Sequence, residues 1–180
     1  MTHDTSQMVP HFDLKSGSSE VGLDVVELAA EAREYLLAHD WCEEVESLFY
    51  DRGFPKVAVF LANIVPMGSA DSQLWVIVGD VPPLYIDTVD YENGAEALAG
   101  YLIVFLHAIM LFRTDQPLDD VPPILTRGSL VEMSFDDEVA KMLSGRLTAI
   151  RKMLLELWSD EIRFDISELY IPPGFAPHPA

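Results

Sequence analysis

Residues Ala95–Phe112 read AEALAGYLIVFLHAIMLF, and any fold of this chain must bury them. A membrane-spanning helix needs about 20 consecutive apolar residues. Here the unbroken run starts at Ala97 and is interrupted at His107. No Lys or Arg lies between Lys56 and Arg113, so only one flank carries a nearby cation. We therefore read the segment as a core helix that is apolar on most sides, opened by Asn93-Gly94. Such a helix needs partners on more than one face, which requires a layered domain.

The rest of the chain supplies candidates. Asp24–Ala38 places Val25, Leu28, Ala29, Ala32 and Leu36 at helical spacing. Trp41 to about Arg52 reads as a second helix, with Asp40 and Glu43 as a capping box and Trp41, Val45, Leu48 and Phe49 facing inward. Gly53 would stop it and Pro55 would block continuation. Lys56–Ile64 and Leu74–Val78 are β-branched and apolar, and read as an antiparallel hairpin covered on both faces. Leu84–Thr88, after Pro82-Pro83, reads as a short edge strand. A long loop, 113–135, precedes an amphipathic helix over Asp136–Ser159. Its stripe is Val139, Met142, Leu143, Leu147, Ile150, Leu154, Leu157 and Trp158. The predicted architecture is α+β: a small antiparallel sheet of two or three strands packed by about four helices. Residues 1–22 read as a flexible arm, 23–160 as a single domain and 161–180 as an extended, partly docked tail.

Charge bounds the function. There are 30 acidic and 11 basic residues, a formal net charge of −19. Nucleic-acid binding is driven by Lys and Arg displacing counterions, so it is disfavoured, as is an anionic membrane surface. A basic protein partner is favoured, with encounter steered by the field. The single Cys42 cannot form an internal disulfide, and Met1–Ser19 has no apolar signal core, so a cytoplasmic location is expected. Glu20–Asp51 holds ten acids and one base, Arg33; Val57–Phe112 holds six acids and no base. The bases concentrate in the last helix.

Trp75–Ile86 reads WVIVGDVPPLYI. This is similar to a W-V-x-x-G-D-L-P-x-x-Y/H motif in a family of small bacterial proteins classed as a domain of unknown function. Val81 stands where the motif has Leu. The resemblance implies a bacterial origin and an α+β core, and implies no activity.

Few residues carry specific chemistry. Asp80, in Gly79-Asp80-Val81-Pro82-Pro83, could serve acid–base or binding work, but a turn ending a core strand is the preferred reading. His39, Asp40, Glu43, Glu44 and Glu46 lack a second His and the H-E-x-x-H spacing of a zinc site, so no metal is expected. Cys42 sits among carboxylates, which oppose a reactive thiolate. His107 reads as a packing histidine in the core helix. No nucleotide-loop, serine-hydrolase or C-x-x-C motif occurs, and no cofactor is implied. The resulting expectation is an acidic protein-binding module of the inhibitor or immunity type, neutralising a basic partner. Its face would comprise Glu43, Glu44, Glu46, Asp51, Asp80, Tyr85, Asp87 and Asp90, with Trp41, Phe49, Tyr50, Tyr85 and Tyr91 as possible anchors. The competing expectation is a small-ligand or enzymatic site at the Gly79–Tyr85 loop.

Overall fold

The computed structural model describes residues 9–10, 23–54, 56–125 and 131–172. The elements run β1 (Val9–Pro10), α1 (Leu23–Leu37), β2 (Cys42–Phe54), β3 (Val57–Pro66), β4 (Gln73–Gly79), β5 (Leu84–Asp87), α2 (Gly94–Arg113) and α3 (Asp137–Leu157). A single 3-10 turn, Ser159–Glu161, follows α3. Strands β2–β5 form an antiparallel meander, and the two-residue β1 pairs with Phe49 and Tyr50 at its outer edge. The α+β expectation holds, with more strand and less helix than the sequence pattern implied. The predicted flexible arm falls largely outside the described residues.

The largest correction is β2. Residues 42–54 form a strand where a helix was expected. Cys42, Val45 and Leu48 are buried at a spacing of three, which imitates a helical stripe. The spacing arises because the β2–β3 register slips between Cys42 and Glu44 and between Val45 and Ser47. Each slip adds one residue, so the inward side chain recurs after three positions instead of two. Asp40 and Glu43 therefore form no capping box, and Gly53 lies within β2, paired with Ala58, instead of stopping a helix.

Alternation along β3 and β4 builds two cores. Val57, Val59, Leu61, Trp75 and Ile77 face α2, while Ala58, Phe60, Ala62, Ile64, Leu74, Val76 and Val78 face α1. This double burial is why both strands read as continuous apolar runs. Helix α2 packs on the sheet with one side and on α3 with another, through Leu143, Leu147, Ile150 and Leu154. By length and composition α2 could cross a membrane, yet 67% of its apolar window is buried within the protein. It is the core helix. Its outward stripe carries Ile103, His107 and Met110, so His107 is exposed and not the packing histidine expected.

The starts of α2 and α3 fall where the sequence placed them. Asn93 Oδ1 accepts from the Glu96 amide at 3.0 Å, and Asp136 Oδ1 accepts from the Val139 amide at 2.9 Å. Glu96, fully buried, accepts from the Glu92 amide at 2.8 Å. It also takes the Arg163 guanidinium, Nε at 2.5 Å and Nη2 at 2.8 Å. That clamp ties the C-terminal segment to the start of α2. Ile166 is buried, and Phe164, Leu169 and Ile171 pack on the core, so residues 161–172 belong to the domain.

Candidate functional site

The W-V-x-x-G-D motif is structural at most of its positions. Trp75 is fully buried and donates its indole N–H to the Tyr91 carbonyl at 3.0 Å. Tyr101, also buried, donates to the Pro82 carbonyl at 3.0 Å and fixes the Pro82-Pro83 bend. Gly79 has φ +121, and the Asp80 amide donates to the Lys56 carbonyl at 2.6 Å. The carboxylate of Asp80 accepts from Arg146 of α3 at 2.8 Å. A cavity of about 210 Å³ lies here, lined by Gly79, Asp80, Val81, Pro82, Leu125, Met133, Met142 and Arg146. It is smaller than the ~300–1,000 Å³ of ordinary ligand clefts, and none of these residues pairs a nucleophile with a base.

The meander separates the eight expected site residues by strand end. Asp51 closes β2 beside Arg52, with which it forms an ion pair; Arg52 also holds Glu161 at 2.8 Å. Asp51 and Asp80 therefore sit where β2 and β4 finish, both neutralised. The other end of the sheet collects the start of β2, the β3–β4 loop and the finish of β5. Glu43, Glu44, Glu46, Asp87 and Asp90 lie at or toward that end, and all five are exposed. Asp40 and Asp71, exposed as well, join them there. Among the described residues no Lys or Arg forms an ion pair with any of these seven. Arg33 of α1 donates to the Val45 carbonyl at 2.8 Å.

Glu43 and Glu46 are the extra residues at two of the three register slips, with Asp51 at the third, and have no partner on β3. Acids on a bulged edge also block pairing with a stray strand.

At the same end, Tyr35, His39, Trp41 and Tyr85 form one aromatic cluster. His39 stacks on Trp41 with centroids 4.9 Å apart and planes 12° from parallel. Trp41 meets Tyr85 edge-on at 4.8 Å, and Tyr35 closes the back against His39 at 4.9 Å. A cleft of about 420 Å³ opens beside it, lined by Trp41, Met67, Ser69, Ala70, Asp71, Leu74, Tyr85 and Asp87. Burial, then the neighbouring Asp71 and Asp90 charges, raise the Asp87 carboxyl above its ordinary range. Burial lowers the His39 imidazole, against the pull of Asp40. The Cys42 thiol is buried and raised by that burial, with Arg33 opposing, which leaves it a poor nucleophile. No three His, Cys, Asp or Glu side chains among the described residues gather into a metal-binding group.

Of the expected anchors, Trp41 and Tyr85 line the cleft, while Phe49, Tyr50 and Tyr91 pack against the cores. Asp71 was not singled out from sequence. It lies in the hairpin loop that returns to the start of β2, so strand direction alone would have placed it there.

A four-stranded antiparallel meander between helices, with an aromatic-walled acidic cleft at one end, is the class that fold and site define. No family model, curated protein or solved structure matches this chain.

Proposed function

We propose that the protein is an acidic binding module that captures a basic protein through the sheet end bearing Glu43, Glu44, Glu46, Asp71, Asp87 and Asp90, in the manner of an inhibitor or immunity protein. One observation carries this reading. The acids at the opposite end are neutralised internally, whereas these form no ion pair among the described residues. Burial, and after it the neighbouring Asp71 and Asp90 charges, raises the Asp87 carboxyl, so keeping it ionised costs folding energy. A basic partner relieves that cost, and the field of the acidic end speeds the encounter.

The test compares two variants that lose equal charge. One is E43Q/E44Q/E46Q/D71N/D87N; the other is D119N/D120N/E132Q/D160N/E168Q, all at exposed positions outside the strands and loops that form this end. The inhibitor reading expects a gene for a basic protein beside this one, and its purified product is the ligand titrated by calorimetry. The first variant should lose binding and the second retain it. Binding should weaken steeply between roughly 0.05 and 0.5 M NaCl, as the Debye length falls. Equal losses from both variants would reduce the effect to bulk acidity and remove the face.

A further inference from the structure

We propose that the cleft between Trp41 and Tyr85 is an arginine pocket, in which Asp71 and Asp87 hold the guanidinium of one side chain from the partner. This rests on the basic-partner reading and assigns the residue that the partner inserts.

The argument starts from what the cleft lacks. Its polar contributors are two carboxylates and Ser69; its walls are indole, phenol, Met67 and Leu74. An anionic ligand would face two like charges. A neutral apolar ligand would leave those carboxylates desolvated without compensation. A cation with a flat apolar body satisfies both halves. Guanidinium is planar, weakly hydrated and rich in donors, so it can lie against an aromatic ring while donating to carboxylates at its edge. A lysine ammonium is a compact, strongly hydrated point charge and uses the ring walls less well.

Three features of the surroundings suit this occupant. His39 backs the indole by stacking, and its Nε2 is buried without a hydrogen-bond partner. Burial lowers that imidazole, against the pull of Asp40, which disfavours an opposing charge behind the indole. Helix α1 ends two residues before His39, with no basic side chain in its last turn. The partial negative charge of its C-terminus favours cations over anions near His39. Trp41 is itself fixed, since its carbonyl accepts from the Met67 amide at 2.7 Å across the cleft's rim.

The probe is N-acetyl-arginine amide, with the lysine and citrulline amides as comparisons, titrated into the full chain. The readout is the indole N–H signal of Trp41 in a ¹⁵N correlation spectrum, assigned with W41F. The arginine probe should shift Trp41 along a saturable curve and leave Trp75 and Trp158 in place. Citrulline, equal in shape but uncharged, should bind at least about tenfold more weakly. D71N/D87N should weaken the arginine probe by about tenfold or more, and D119N/D120N should not. Both cleft aspartates are exposed, so the double variant keeps its fold, verified by its unchanged core resonances. No saturable shift, or lysine or citrulline binding as well as arginine, overturns the pocket. If the probe fails while the basic partner still binds through the acidic end, the pocket alone falls. If arginine titrates but the five-residue variant, which lacks both cleft aspartates, keeps its partner, the cleft takes free arginine but no side chain of the partner, and both the face and the pocket's proposed role fall.

Discussion

Substituting Gly79 with alanine tests the strand-end geometry on which the domain depends. Gly79 has φ +121, where an L side chain is strained by about 1–3 kcal/mol. A Cβ at this position would also overlap the Lys56 carbonyl oxygen and come 3.0 Å from the Val57 Cα. That backbone cannot simply retreat. The same Lys56 carbonyl accepts from the Asp80 amide at 2.6 Å, and Val57 pairs directly with Gly79 in the sheet. Relieving the overlap means shifting the β2–β3 hairpin, an overpacking cost of about 1–3 kcal/mol. The two costs sum to roughly 2–6 kcal/mol, against a total stability of about 5–15 kcal/mol. For a chain of this size the midpoint should fall by about 2–4 °C per kcal/mol. The control is Gly68→Ala. Gly68 also has positive φ, +77, but nothing lies within 4 Å of a Cβ there. It should cost only the left-handed penalty, about 1–2 kcal/mol. Urea unfolding followed by circular dichroism and tryptophan fluorescence gives both values, provided the slope m stays constant. If Gly79→Ala loses no more than Gly68→Ala, the overlap with Lys56 does not constrain the hairpin and the packing argument is wrong.

Two further outcomes concern ionisation. Burial works against the charge of Glu96, but the Arg163 guanidinium and the Glu92 and Arg163 amides overcome it and hold the carboxyl below its ordinary 4.5. A depressed folded pKa stabilises above the unfolded value, and that stability disappears as pH falls through the folded one. E96Q should therefore be less stable than wild type at pH 7, and the gap should narrow as pH drops below about 4.5 in acid-titrated urea unfolding; a constant gap would refute the clamp. Asp87 has the opposite sign. Its raised carboxyl makes ionisation costly in the fold, so D87N should unfold at a slightly higher temperature than wild type at pH 7. The difference should shrink on acidification, and its smaller part, the repulsion by Asp71 and Asp90, should shrink in 1 M NaCl; a D87N protein less stable than wild type at pH 7 would show that neither burial nor these neighbours penalises the charge.

Much of the fold could be read from local pattern. Helices α1 and α3 announce themselves by period, and Asn93 and Asp136 cap where their side-chain chemistry says they should. The apolar runs of β3 and β4 anticipate a sheet buried on both faces. The uniformly apolar α2 anticipates a helix enclosed by other elements. These features follow from nearest neighbours along the chain, so one-dimensional spacing is enough to expose them.

What the chain could not reveal locally was decided by pairing. In β2, register slips against β3 turned a strand's period of two into a helix-like three, and only the partner strand fixes where those slips occur. The same pairing sorted the acids. Glu43 and Asp87 stand far apart in sequence, yet the antiparallel meander brings the start of β2 and the finish of β5 to one end. It carries Asp51 and Asp80 to the other, where Arg52 and Arg146 neutralise them. Composition determined that the molecule is strongly negative. Which carboxylates stay unpaired, and that Trp41 and Tyr85 stand beside two of them, depended on long-range strand order, because electrostatic neighbours are set by distance in space and not along the chain.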